Sequence, residues 1–208
     1  TSAITYVLVH RRQAYIKRCV ALPGDTFEMR NWQVYINQRA INNPEHAILR
    51  KNGSQPNKRE INHRKYPLKP GNPKFWHEAA YYRTIFPNNY VYMWNHHIYG
   101  PITVPEKGLT IGLDLNNVWL YKKIIENHEG NQLKIDSTGI YINGKKEDQY
   151  TFQMDYYFMM GDNRPNSIDS MFWGFVPANH IIGKASLILF SFKQEQFEIR
   201  WNRFLSDL

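Results

Sequence analysis

One cysteine, Cys19, is all that the 208 residues contain, so no internal disulfide can staple the fold. Nowhere do about 18 apolar residues run together, the length a membrane-spanning helix needs. The longest apolar stretch, residues 181–192, is interrupted by Lys184 and Ser186 and reads as a buried strand. The opening Thr1-Ser2-Ala3-Ile4 lacks the basic start of a secretory signal. The chain as it stands therefore reads as soluble, which is compatible with its being cut from something anchored. Gly24 and Gly161 stand alone, so there is no glycine-rich loop to cradle a phosphate. His63, His77 and the pair His96-His97 lack the spacing of a zinc site. Neither a metal nor a cofactor is expected.

Acidic residues are scarce at the start. Residues 1–74 carry 14 Lys/Arg against 4 Asp/Glu, a net of +10, and the remainder carries 12 against 14, a net of −2. A basic third suits an acidic neighbour, either nucleic acid or anionic lipid, and suits a solvated basic face equally well. A hydrophobic fraction of 42%, with 14 Tyr and 6 Trp, is that of a globular protein. The tryptophans are most simply packing residues, although a lipid interface also enriches Trp and Tyr.

Period-2 alternation with β-branched and aromatic residues predicts a mostly β fold. Strands are expected over residues 5–9, 14–21, 26–30, 33–37, 90–94, 133–136, 139–143, 156–160, 181–192 and 196–201. The best helix signal is 118–126, with Asn116 or Asn117 as N-cap. Residues 27–37 and 133–143 resemble each other at an offset of 106: apolar alternation, a polar turn, then a strand ending in Asn37 or Asn143. This predicts one hairpin design used twice. Residues 42–75 hold five prolines and few apolar anchors, the composition of a long surface excursion. An inserted region at 41–130, α+β or loop-rich, is accordingly expected between two parts of one catalytic core, 1–40 and 131–208.

Two segments carry the chemistry. In Tyr15-Ile16-Lys17-Arg18-Cys19-Val20-Ala21-Leu22-Pro23-Gly24-Asp25, strand alternation places Lys17 between Tyr15 and Cys19 on one face. Withdrawal from water favours a neutral amine, which can act as a general base. An edge-strand lysine with its ammonium in solvent fits the same pattern. Cys19 reads as a small core hydrophobe. In the second segment the strand Tyr157-Phe158-Met159-Met160 runs into Gly161-Asp162-Asn163-Arg164-Pro165-Asn166-Ser167-Ile168-Asp169-Ser170, then Trp173-Gly174-Phe175-Val176-Pro177. An Asx-rich turn explains the Gly and Asn. It explains less well two aspartates, an arginine and two serines crowded between aromatics, since loops after strands are common places for catalytic groups.

These two segments resemble, in order, the lysine box and the last conserved box of the type I signal peptidases, and Ile182-Gly183-Lys184-Ala185 continues the match. The resemblance implies a coiled antiparallel β-sheet core and a Ser/Lys endopeptidase that removes signal peptides, commonly after Ala-X-Ala, from exported preproteins. It implies that Lys17 is the general base, that Ser167 orients it, and that Asp162 pairs with Arg18. It places Asp169 in a supporting role and Tyr15 and Ile16 along the substrate pockets, with the peptide bound as an added strand. It also implies a catalytic domain resting on lipid at the outer face of the bacterial cytoplasmic membrane, expected here as a monomer. The serine box of the family, of Ser-Met-X-Pro-Thr character, has no counterpart in this sequence, and Ser2 has none of its context. The nucleophile and an oxyanion-hole donor are thus expected from sequence outside this chain, which alone is expected to be inactive. Pro165 stands where the family has an acidic or polar residue, which alters the turn. Met171 stands where the family commonly has arginine, so the ion pair that would support Asp169 lacks its partner. The alternatives are a catalytically inactive relative that binds extended peptides and a nucleic-acid binder; the latter gives no reason for the two boxes.

Overall fold

The computed structural model describes residues 14–49, 85–89, 92, 94–96, 98–193 and 198–207. The chain divides into two compact units, residues 17–180 and a unit made of the chain ends, 1–16 with 181–208. The expected strand at 5–9 lies outside the described residues. The fold is mostly β, built from antiparallel sheets, as the alternation predicts.

In the larger unit, strand β1 (Arg18–Ala21) is followed by β2 (Thr26–Arg30), β3 (Gln33–Ile36) and the short β4 (Arg39–Ala40). Strand β5 (Ile98–Thr103) lies on the other side of β2, giving a four-stranded sheet β4-β3-β2-β5. A bulge interrupts the β2–β5 ladder between Phe27 and Met29. Gly100 sits there at φ +79°, and a Cβ on it would lie 2.6 Å from the Phe27 carbonyl, so only glycine fits the approach. Strand β6 (Thr110–Gly112) pairs with β10 (Gln149–Thr151), and β7 (Leu133–Asp136), β8 (Gly139–Ile142) and β9 (Lys145–Lys146) form a meander. Strand β11 (Tyr156–Met160) runs between β1 and β12 (Val176–Pro177).

The hairpin resemblance at offset 106 holds bond for bond. Asn37 at φ +50° and Asn143 at φ +52° both take the left-handed conformation that a tight β-turn demands and that Asn tolerates. Each side-chain oxygen accepts from a backbone N–H at the start of its meander, Thr26 at 2.8 Å and Gln132 at 2.9 Å. Each amide nitrogen donates to the residue before that, Asp25 at 2.7 Å and Asn131 at 2.8 Å. After each third strand the amides of Ile41 and Glu147 bond back to Val34 and Ile140, both at 3.0 Å. The repeat is therefore a clasp, with one asparagine tying the end of the second strand to the residue preceding the first.

The core of this unit is aromatic. Phe27 stacks on Phe158 at 4.3 Å between ring centres, and Tyr99 meets Phe27 edge-on at 5.8 Å; all three are fully buried. Truncating such a ring costs about 3–5 kcal/mol, so this cluster anchors β2, β5 and β11 together beneath the site. Helix α1 (Val118–Lys123) begins where expected but continues as a π-helical stretch, Ile124–His128. The Asn117 side chain does not cap it. Asp114 takes that part instead, its Oδ1 accepting from the amides of Asn116 and Asn117 at 2.7 Å each.

Two strand expectations need correction. Within 90–94, Tyr92 and Trp94 are not in a strand; Trp94 packs on Tyr99 at 4.7 Å, and Asn95 accepts from the Ile98 amide in a turn. Tyr92 and Trp94 serve packing rather than a ladder, and residues 90, 91 and 93 lie outside the described residues. Residues 181–192 do not form one buried strand. Among the described residues, the unit of chain ends contains only two-residue ladders: β13 (Leu187–Ile188) with β16 (Ser206–Asp207), and β14 (Phe192–Lys193) with β15 (Glu198–Ile199). Ladders this short offer no face to bury against, and Ile182, Leu189 and Phe190 are exposed.

Candidate active site

The β1–β11 pairing brings the two chemistry-bearing segments together. Its register sets Arg18 opposite Met160 and Cys19 opposite Met159. Lys17 therefore lies one step before the ladder begins and Gly161 one step after it ends, on neighbouring strands. A bulge between Cys19 and Ala21 breaks the expected alternation. The strand turns from exposed at Arg18 and Cys19 to buried at Val20 and Ala21, so Cys19 is exposed rather than a core residue.

Lys17, partly buried, directs its Nζ to the Ser167 hydroxyl at 3.0 Å, across 150 residues of sequence. Ser167 is buried, and Gly161 makes its position available. A Cβ at residue 161 would fall 2.2 Å from Ser167 Oγ, 2.7 Å from Ser167 Cβ and 3.6 Å from Lys17 Nζ. This glycine is quoted in the motif, but sequence reasoning attaches no role to it. The one sign it leaves is its place immediately after a strand.

The loop from Gly161 to Ser170 is tied down at several points. Asp169, 2% exposed, accepts from the Gly161 amide at 3.0 Å and the Met171 amide at 3.1 Å. It thereby caps the single helical turn Ser170–Trp173. Two backbone amides thus occupy its carboxylate. Ser170, fully buried, accepts from the Met159 amide at 2.9 Å, fastening the loop back to β11. Pro165 occupies the start of the 3₁₀ turn Arg164–Asn166, where its fixed φ is suitable. On the outer side, Ile48 donates its amide to the Asp162 carbonyl at 3.0 Å and accepts from the Arg164 amide at 2.9 Å. Sequence reasoning assigns Ile48, Gly161 and Ser170 nothing: the first two act through backbone geometry, and the Ser170 hydroxyl acts on a backbone amide that only the fold brings to it.

Arg18 and Asp162 form the expected pair, bidentate, with both contacts at 2.8 Å. Hydrogen bonding to Arg18 holds the Asp162 carboxyl below its ordinary range, and the same bond raises the guanidinium. Both side chains are roughly half exposed, at 50% and 41%, so the pair contributes at most about 1 kcal/mol. A carboxyl depressed by folding stabilises above its unfolded pKa of about 3.9 and loses that contribution as pH falls through the folded value. Asp162→Asn is therefore expected to lower the thermal midpoint by only a few degrees at pH 7, a gap that closes as the pH falls through the depressed folded value. Thermal melts of both proteins from pH 7 to pH 2 check this. A gap that persists undiminished at pH 2 would exclude the ion pair as its cause.

Tyr15 and Ile16, expected along the substrate pockets, are 61% and 82% exposed. Among the described residues no group of three or more His, Cys, Asp or Glu side chains is placed to hold a metal ion, and no helix is long and apolar enough to cross a membrane. His96 stacks on Trp32 at 6.0 Å and packs against Phe172 at 5.4 Å.

Comparison with known proteins points to one family. The family model described as "Signal peptidase, peptidase S26" matches residues 4–190. A Signal peptidase I of Buchnera aphidicola from Schizaphis graminum is 57% identical over 42 residues, 20% of this chain and 14% of that protein. One of Aquifex aeolicus is 66% identical over 38 residues, 18% of this chain and 15% of that protein. One of Haemophilus influenzae is 48% identical over 56 residues, 25% of this chain and 16% of that protein. The matched stretches are thus a small part of each relative's length.

Proposed function

The chain belongs to the signal peptidase family, peptidase S26, and on that premise we propose that it carries the base half of a Ser/Lys endopeptidase that removes signal peptides from exported preproteins. The observation that carries the proposal is the 3.0 Å contact between Lys17 Nζ and Ser167 Oγ, at a glycine that leaves room for it. The Lys17 amine, as general base, takes the hydroxyl proton of a serine supplied by sequence outside this chain, as that oxygen attacks the carbonyl carbon of a small residue. The resulting ammonium returns the proton to the departing amine of the mature protein. Lys17, neutral again, then deprotonates the water that releases the signal peptide from the serine. Ser167 aims the amine throughout. Asp169 and Ser170 hold the loop, and Arg18 with Asp162 fixes the start of β1.

Tyr15 and Ile16, exposed beside Lys17 in sequence, are proposed to meet the substrate's small side chains. Lys17, Arg18, Asp162, Ser167 and Asp169 all fall within 1–40 and 131–208, which are the stretches proposed as the catalytic core, with 41–130 as an inserted region. The proposed setting is the outer face of the bacterial cytoplasmic membrane, with lipid and the signal peptide as partners and the protein as a monomer.

The test is to incubate the complete protein with a preprotein carrying Ala-X-Ala and map the new N-terminus by mass spectrometry. A single cut after the second Ala is expected. Saturable binding of the preprotein without any cut would identify an inactive peptide-binding relative instead.

A further inference from the structure

Beyond the dyad, Arg164 is the group least accounted for. It is 5% exposed, yet among the described residues its Nε meets no acceptor, and Nη1 donates only to Met160 Sδ at 3.3 Å. A thioether is a weak acceptor, and a guanidinium withdrawn from water without a better partner is costly. Asp169 is the complementary case: a carboxylate 2% exposed, bonded by the two backbone amides of Gly161 and Met171. Both side chains line one narrow crevice, together with Ser167, Trp32, His96 and Met171. Burial pushes the Arg164 guanidinium down, and the charge of Asp169 is foremost among those that oppose the shift. Arg164 also opens the 3₁₀ turn that ends at Ser167, while Asp169 holds the Gly161 amide on which Ser167 packs.

We propose that Arg164 is a positioning residue for the dyad: its buried charge offsets that of Asp169 through space, and the two together hold the loop that sets Ser167 against Lys17. The catalytic part of this proposal rests on the Ser/Lys reading above. Met171, 3% exposed and in the same crevice, offers a direct test. Arg164→Met combined with Met171→Arg transposes the charge within the crevice and leaves its contents unchanged in volume.

Three variants are compared with the wild type: Arg164→Met, Arg164→Lys and the transposed double variant. In this chain the readouts are the thermal midpoint and the NMR signal of the Lys17 side chain, identified by its loss in Lys17→Ala. In the complete protein they are kcat and KM. Arg164→Met is expected to lower the midpoint by about 10 °C and to move the Lys17 signal. It is expected to lower kcat roughly 10- to 100-fold, with KM within about twofold. The transposed variant is expected to recover most of each loss, and Arg164→Lys to keep the Lys17 signal near that of the wild type. A transposed variant no better than Arg164→Met would overturn the pairing. So would an Arg164→Met protein whose Lys17 signal does not move, or an Arg164→Lys protein indistinguishable from it. If Arg164→Met does not fold, the folding or failure of the transposed variant decides the pairing. If the complete wild type cuts nothing, the protease reading fails while the midpoint and the Lys17 signal still decide the role of Arg164.

Discussion

Lys17→Ala in the complete protein is expected to reduce signal-peptide cleavage by at least 10²–10⁴-fold, about the contribution of a general base, while the fold persists. Lys17 lies before the first ladder pair of β1 and is only partly buried, so removing its side chain creates no core cavity. The thermal midpoint should therefore stay within a few degrees of the wild type, since surface substitutions usually change stability by about 0.5 kcal/mol or less. Single-turnover cleavage and a melt on the same preparation check both statements. Retained cleavage in a folded variant would mean that some other group takes the serine proton.

Gly161→Ala is expected to be nearly as damaging by a different route. The new methyl group would lie 2.2 Å from Ser167 Oγ and 2.7 Å from Ser167 Cβ, far inside contact distance. Residue 161 cannot easily retreat, because its amide is held by Asp169 at 3.0 Å and β11 ends immediately before it. Ser167 must move instead, and it is buried. A displacement of about 1 Å in a positioning group can cost on the order of 10²-fold in rate, so kcat should fall by about that factor with little change in KM. Steady-state kinetics separates the two. An Ala variant with unchanged kcat would show that Ser167 does not need its observed place. The substitution also crowds the interior, so a loss of about 1–3 kcal/mol in stability is expected alongside.

How much of this was legible in the sequence depended on the range of the interaction concerned. The two meanders were readable because each is local. Asn37 and Asn143 recur with the same neighbours, and the clasp each makes reaches only to the start of its own first strand. Strands β2, β7 and β11 have the bounds that alternation predicts. The pairing of β1 with β11, which assembles the site, joins residues more than 130 positions apart, and no period or turn signal encodes it. Without that register Gly161 is one more turn glycine, and the contact from Lys17 to Ser167 rests on resemblance alone. The bulge after Cys19 is equally hidden in the sequence; residue type suggests a core position for the cysteine, whereas it is exposed. The expectation of a buried strand over 181–192 differs for another reason: apolar content does not entail burial, and the short ladders there leave Leu189 and Phe190 exposed. Met171 marked the absence of an arginine, and only the fold put Arg164 into the same crevice.

The most direct test of the central claim, that Lys17 and Ser167 serve a nucleophile outside this chain, is the rate at which the 208-residue chain by itself cuts an Ala-X-Ala preprotein that the complete protein processes. No cleavage above the uncatalysed background is expected from the chain alone, and cleavage by the complete protein should disappear with Lys17→Ala. Cleavage by the chain alone that is likewise lost with Lys17→Ala would contradict that claim, because the nucleophile would then lie among these residues.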